Sequence, residues 1–340
     1  MTGHNLSRRG LLFGAVGAAA AGFLAACGSE GDGTGTGSGT GGAASPGTGG
    51  GTFPASVAHQ FGTTTVEEAP KAVVSLGWAD ADVLLALGVV PAGILDWFQA
   101  WPVGVGPWAQ AKLNGAKPTV LKGPEINFDA VAALRPDLVT FTKSDNVKAT
   151  WEQLEKLAPT LSGPTGTQPY GTTLKDQTVM IAEALGRKAE GEKLVADNDK
   201  ALADAKAANP TFAGKTVCVA AAFAGQYGAY TRGDGRVQFM EALGFTNSPK
   251  IEALKPASFY AEISKERVSL LDADLTVMFG IGAGAELKKD TVLNSIPAAK
   301  AGRLLIVDDA DLVNAFSTNS VLSTPFTLEK FLPMVRDALK

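Results

Sequence analysis

Histidine is almost missing from this 340-residue chain: there are two, His4 and His59, and none after them. A Ser-His-Asp or Cys-His site needs an imidazole to carry the proton. Zinc and manganese sites of the three-His or His-carboxylate kind need it as a ligand. Neither kind of site can be assembled beyond residue 59, and no G-x-S-x-G elbow occurs. Cysteine is as scarce, with Cys27 and Cys218 only. Cys218 sits in the apolar run Thr216-Val217-Cys218-Val219-Ala220 and reads as a buried strand residue, not a reactive thiol. No basic run marks nucleic-acid binding; Lys and Arg number 30 against 34 Asp and Glu, for a net charge of −4. These shortages count against hydrolase chemistry, metal ligation by imidazole and nucleic-acid partners. They leave open binding by aromatics, arginine and hydroxyls.

What is present begins with a leader over residues 1–26. Arg8 and Arg9 precede an apolar run that ends in Leu24-Ala25-Ala26-Cys27. A basic start, a short apolar core and small residues at a cleavage point read as a secretory signal, too short to span a bilayer as a helix. Ser7-Arg8-Arg9-Gly10-Leu11-Leu12 resembles a twin-arginine leader, with the general secretory route as the alternative. Leu24 to Cys27 resembles the lipobox of a bacterial lipoprotein. That implies a diacylglycerol on the Cys27 thiol, an acylated new terminus, and anchoring to the outer face of the cytoplasmic membrane. Cys27 would then be unable to pair with Cys218. Residues 28–51 are half glycine and cannot bury a core. With Cys27 they belong to a tether over 27–55, with a reach of roughly 25–30 Å.

The remainder, roughly 285 residues, is long enough for two lobes: an N-lobe over 56–170, connecting helices over 171–213 and a C-lobe over 214–340. From Arg187 to Asn209 the spacing predicts one long helix. Gly191, Leu194, Val195, Asn198, Ala201, Leu202 and Ala205 fall on a single stripe, and Pro210 ends it. At about 33 Å it suits a strut between lobes. In the N-lobe, Lys71 to Leu76 reads as a strand, Ala79 to Leu87 as a helix and Val89 to Leu95 as a strand. That order predicts a parallel, doubly wound sheet, whose ligands sit at the carboxyl ends of the strands.

Position then nominates pocket residues. Trp78, Trp97, Phe98 and Trp101 follow N-lobe strands, and four of the five tryptophans lie between Trp78 and Trp108. Such rings either bury a large flat ligand or cap the lobe's own core. Lys143 and Ser144 follow the strand Leu138 to Phe141. In the C-lobe, Phe223 follows the strand Thr216 to Ala222. The turn-rich loop Gln226 to Arg236 offers Tyr227, Tyr230 and Arg232. Arg232 is the leading candidate there unless it pairs with Asp234, since Arg236 begins the helix Val237 to Leu243. Phe279, at the end of the strand Leu275 to Met278, and Phe316 complete the set. An amphipathic helix, Thr327 to Leu339, closes the chain.

One pattern occurs twice. Asn127 to Val139 reads as capped helix, turn and strand, and Ser264 to Val277 repeats it. In each, a capping residue stands two before a carboxylate, Asp129 or Glu266, and the two acids are 137 residues apart. The helix dipole alone favours an acid there. The functional reading is one exposed acid per lobe, docking onto paired basic residues of a partner.

Taken together, these segments resemble the substrate-binding lipoproteins of iron–siderophore ABC transporters. They belong to the helical-backbone group of periplasmic binding proteins, which also holds cobalamin and haem binders. The resemblance rests on Ala72 to Leu76, Leu84 to Gly93, Asn127 to Val139, Leu157 to Thr160, Thr178 to Gly186 with the long helix, Ser264 to Val277 and Gly302 to Asp308. It implies an α/β class III architecture, two similar lobes with parallel sheets joined by a single long backbone helix. It implies a monomeric receptor, not an enzyme, that holds a ferric siderophore in a cleft between lobes. Iron would enter only inside its chelator, with no resident cofactor or metal. Glu266, and Asp129 where the family usually has glutamate, would meet arginines on two permease subunits served by a separate ATPase. Three alternatives stand beside it: another chelate such as haem or cobalamin, bare ferric ion on the phenolates of Tyr227 and Tyr230, and a siderophore-processing enzyme.

Overall fold

Strand order shows that both halves of the chain follow one plan. The protein is described here by a computed structural model covering residues 51–340 except 124, 224–225 and 281–283; the leader, Cys27 and nearly all the tether lie outside the described residues. The first sheet has the order Thr119–Lys122, Gly93–Asp96, Val73–Ser75, Leu138–Phe141, Thr160–Ser162, all parallel. The second has the order Tyr260–Ile263, Gln226–Tyr230, Thr216–Phe223, Leu275–Phe279, Leu304–Val307. Along these paths the strand that comes first in sequence is central, the next two lie to one side and the last two to the other; the second sheet has a sixth strand, Thr246–Asn247, parallel to Thr216–Phe223 and off this order.

One strand breaks the match. Gln226–Tyr230 runs antiparallel to Thr216–Phe223, where the first sheet has the crossover helix Asp80–Ala86. Only residues 224–225 separate the two strands, and a parallel return needs a dozen residues or more. Two expectations are corrected here: the second sheet is mixed, not parallel, and the loop read from Gln226 onward begins as a strand.

The central strands, such as Leu138–Phe141 and Leu275–Phe279, are buried along their lengths because helices cover both faces. Alternate side chains feed two cores. Val217, Val219, Val277 and Phe279 face one, and Cys218, Ala220 and Met278 face the other. Cys218 is fully buried, and burial pushes its thiol up to about 12. An N-terminal hairpin, Ala55–His59 with Gly62–Val66, closes the first core through Val57 and Val66. His59 is structural. Thr64 gives its hydroxyl proton to the Thr160 carbonyl at 2.7 Å, so His59 Nε2–H donates to Thr64 at 2.9 Å and the neutral Nδ1 accepts from Phe61 N–H at 3.3 Å.

Lys188–Ala207 forms the long helix. Its Leu194 packs on the first lobe's core, while Leu202 and Ala205 pack on the second's, so one stripe serves both lobes. Gly191 is required by contact: a Cβ there would collide with Ala182 of the preceding helix, Leu174–Ala184.

The helices Ala310–Thr318 and Ser323–Ala338 make a second tie. They fill the second core with Leu312, Phe316, Phe331 and Val335 and reach across to the first lobe. Trp78 Nε1 donates to the Ser317 carbonyl at 3.2 Å and Trp101 Nε1 to Asp311 at 3.0 Å. Trp108 and Phe326 rings lie 5.7 Å apart. Asp82, buried between the lobes, accepts from Trp108 Nε1 at 2.7 Å and from the Ser320 hydroxyl.

Burial raises the Asp82 carboxyl to about 6, with the bonds from Ser320 and Trp108 opposing the rise. A folded pKa above the unfolded one favours the protonated form in the fold. That contribution is complete below about pH 4 and is lost as pH rises through about 6. The parent protein should therefore lose up to about 3 kcal/mol of unfolding free energy relative to Asp82→Asn between pH 4 and pH 7. Urea unfolding of both at the two pH values measures this; a pH-independent difference would mean that Asp82 titrates normally.

Candidate functional site

The carboxyl ends of the first sheet are held by one buried acid. Asp80 is fully buried and accepts from Thr142 N–H at 3.0 Å, from the Thr142 hydroxyl and from Gln177 Nε2. Burial raises its pKa, and the bonds from Thr142 and Gln177 oppose this. Gln177 also donates to the Trp78 carbonyl at 2.7 Å, and Trp78 N–H donates to the Lys143 carbonyl at 2.8 Å. Asp80 thus fixes Trp78 and Lys143 together, each just past the end of a neighbouring strand. Gly77 has no alternative, since a Cβ there would collide with the Asp80 carboxylate.

On this base stands a wall of rings. Trp97 Nε1 donates to the Leu76 carbonyl at 3.0 Å. Trp97 lies 5.8 Å from Tyr170 and 5.8 Å from Trp78, and Trp78 lies 4.7 Å from Phe98. Edge and tilted contacts of this kind hold the rings in fixed orientations. Tyr170 adopts φ 58°, a left-handed backbone secured by its N–H to the Ser144 carbonyl at 2.7 Å.

The second lobe presents a cation. Asp234 caps the helix Gly235–Ala242 through Arg236 N–H at 2.8 Å, and its other oxygen accepts from Arg236 Nη1 at 2.7 Å. The guanidinium lies 4.3 Å from the Tyr230 ring centroid, and Nε donates to Ser317 Oγ at 3.2 Å. Three adjoining cavities, of about 270, 380 and 430 Å³, each have Arg236 in their wall. The 270 Å³ cavity lies between Trp78, Trp97, Lys143 and Tyr170 of the first lobe and Arg236, Phe259 and Ser317 of the second. Burial pulls Lys143 down to about 8, with Asp234 and Asp80 raising it and Arg236 lowering it further.

Of the residues expected from the sequence, Trp78, Trp97, Phe98, Lys143 and Tyr230 line these cavities, and Tyr227 borders the 430 Å³ one. The rest go elsewhere, as does the Tyr227 hydroxyl. Trp101 packs behind the wall against Phe98 and Trp108 and ties to Asp311. Ser144 is buried; its carbonyl accepts from Tyr170 N–H and its hydroxyl from Asn146 N–H at 3.3 Å. The Phe223 side chain lies outside the described residues. Tyr227 turns to the opposite face of its strand from Tyr230 and donates to Asp290 at 2.7 Å, since residues three apart in a strand point opposite ways. Arg232 is a correction: its side chain is 58% exposed and pairs with Glu241 at 2.7 Å, while Asp234 pairs with Arg236. Phe279 and Phe316 are corrections too. Both are buried in the second core, 5.1 Å apart, because the helix Ala310–Thr318 covers the strand end.

The sequence reading passed over Tyr170, Phe259 and Ser317 and set Arg236 aside. Tyr170 carries a usable signal, as the only aromatic between the last N-lobe strand and the next helix. Phe259 precedes its strand, so the carboxyl-end rule points away from it.

Asp129 and Glu266 are both exposed and make no ion pair among the described residues. Asp129 lies in the first turn of Phe128–Ala133, capped by Asn127, which accepts from Ala130 N–H at 3.0 Å. Glu266 lies in the first turn of the 3-10 helix Lys265–Leu271, and a bond from Ser264 lowers its pKa. Phe128–Ala133 joins Thr119–Lys122 to Leu138–Phe141, and Lys265–Leu271 joins Tyr260–Ile263 to Leu275–Phe279, so each acid follows the edge strand on the same side of its sheet's order.

Known proteins share this arrangement. The family described as "Periplasmic binding protein" matches residues 73–310. The Fe(3+)-citrate-binding protein YfmC of Bacillus subtilis (strain 168) is 29% identical over 256 residues, covering 74% of this chain and 76% of that one. A periplasmic solute binding protein from Mycobacterium smegmatis superposes with a TM-score of 0.75 at 29% identity, covering 84% of this chain and 99% of that one. PiaA of Streptococcus pneumoniae, solved in complex with ferrichrome, gives a TM-score of 0.72 at 26% identity, covering 84% and 98%.

Proposed function

The chain belongs to the periplasmic binding protein family, and from that premise we propose that it is an extracytoplasmic receptor that binds a ferric siderophore between its lobes and delivers it to an ABC importer. The observation that carries the reading is the ring wall of Trp78, Trp97 and Tyr170 facing Arg236 across one cavity. A chelated iron offers that site flat organic arms and oxygen acceptors, which rings and a guanidinium recognise without touching the metal. The relatives point the same way, one named for ferric citrate and one solved with ferrichrome. The bare-ion alternative needs two converging phenolates, and Tyr227 and Tyr230 diverge. Binding without turnover fits a site that has no imidazole nearby to move a proton. Attachment through a lipid on Cys27 would keep the receptor beside its importer, with Asp129 and Glu266 as the docking acids.

The test is a titration of the purified protein with ferric siderophores, haem and cobalamin, followed by tryptophan emission. Trp78 and Trp97 lie in the wall, so a bound ferric chelate should quench emission saturably at one ligand per chain. The ligand should be recovered intact, still holding iron. Quenching by haem or cobalamin but by no ferric chelate would replace the reading, and a cleaved or reduced ligand would make the protein an enzyme.

A further inference from the structure

Two cations line the 270 Å³ cavity, one from each lobe, and they are not equivalent. Arg236 is already satisfied: Asp234 neutralises it at 2.7 Å, Ser317 accepts from it, and Tyr230 lies beneath it. Lys143 is 7% exposed and makes no ion pair or side-chain hydrogen bond among the described residues. The groups that face it are accounted for. Asp80, from the helix Asp80–Ala86, is held by Thr142 and Gln177; Asp234 and Arg236, from the start of Gly235–Ala242, are bound to each other; Tyr170, from the loop before Leu174–Ala184, is a neutral phenol. The Lys143 ammonium therefore feels Asp234 and Asp80 only at a distance and stands without a direct partner at the first-lobe side of the cavity wall, on a residue held next to Thr142 by the Asp80 clamp.

We propose that Lys143 selects the ligand by charge: the cleft takes ferric chelates that bring a free carboxylate to the Lys143 ammonium and discriminates against neutral ones. This rests on the receptor reading above and adds to it the chemical class of the ligand. A buried ammonium without a partner is disfavoured, which is what pulls Lys143 down to about 8. A carboxylate in the cavity reverses that preference by favouring the charged form. Above about pH 8 the empty site has lost the proton, so anion capture must take one up. Affinity for a carboxylate chelate then falls as pH rises through that value. A neutral chelate gains nothing from the ammonium and must displace it from what water it retains.

The experiment compares ferric citrate with a neutral ferric trihydroxamate on the parent protein, Lys143→Met and Lys143→Arg, by fluorescence titration at pH 7 and pH 9. Lys143→Met should lower the ratio of ferric citrate to trihydroxamate affinity by at least about tenfold. Lys143→Arg stays charged throughout, so the ratio of parent to Lys143→Arg affinity for ferric citrate should fall between pH 7 and pH 9. Using that ratio removes changes in the chelate's own speciation, which both proteins meet equally. Lys143→Met replaces an unpartnered charge by an apolar chain of similar length, so its thermal midpoint should not drop. Equal weakening of both chelates in Lys143→Met, a parent preference for the trihydroxamate, or a flat pH ratio would overturn the selection while leaving the receptor reading in place. A parent protein that binds neither chelate but binds haem or cobalamin would remove the reading itself.

Discussion

Arg236→Ala is expected to weaken ferric-chelate binding by roughly tenfold to a hundredfold, while Arg232→Ala changes it by less than about twofold. The two arginines stand four residues apart and differ in every physical respect. Arg236 faces all three cavities, lies on the Tyr230 ring and is 14% exposed in its side chain. Arg232 projects into solvent toward Glu241. Truncating Arg236 removes a planar donor from the wall and also strands Asp234, which is 9% exposed in its side chain. Stranding one member of a fully buried pair costs about 3–5 kcal/mol; this pair keeps some contact with water, so about 2 kcal/mol is expected in urea unfolding. Arg236→Lys keeps the charge but not the fork or the stacked plane, and should fall between. Asp234→Asn together with Arg236→Ala separates the two effects. The double variant should regain stability without regaining affinity. Full affinity in Arg236→Ala would end the case for that residue.

The second large effect is on transport. Asp129→Lys combined with Glu266→Lys should abolish siderophore-dependent iron uptake in cells while leaving ligand affinity within about twofold. Both acids are exposed, neither lines any of the three cavities that hold Arg236, and each occupies the helix that leads from an edge strand of its sheet's order to the strand just past the centre. A single reversal leaves one contact attractive and should lower uptake only in part; two reversals turn both against a basic partner. Uptake by radiolabelled iron, with a fluorescence titration of the same variant, reads both quantities. Normal uptake by the double variant would leave the acids as helix-capping charges and nothing more.

Where the sequence was legible, single forces dominated. Leu138–Phe141 emerges with the expected limits because a parallel strand buried on both faces reads as a nearly continuous apolar run, here broken only by Thr140. The long helix keeps its stripe because both lobes lean on it. The twice-used helix and strand pattern anticipated two alike sheets. Errors came where a distant part of the chain decides the outcome. Phe316 is core only because its helix packs on the end of Leu275–Phe279, which no local period reveals. Gln226–Tyr230 hides as a strand since Gln226 and Gly228 dilute its apolar signal and its partner supplies the pairing. Arg236 was passed over for beginning a helix, yet Asp234 was legible as a capping residue. A first-turn side chain beside a cap at a strand end is well placed to face the cleft.

The reach of the last two helices sets the order in which the molecule can become competent. Trp78, Trp101 and Asp82 take their partners from Ser317, Asp311 and Ser320, which leave the ribosome after both sheets have been made. A chain whose translation stops near residue 309 would contain every strand and the long helix, yet its second core would lack Leu312, Phe316, Phe331 and Val335. Such a product should fail to build the second lobe, so only the finished chain closes the cavity.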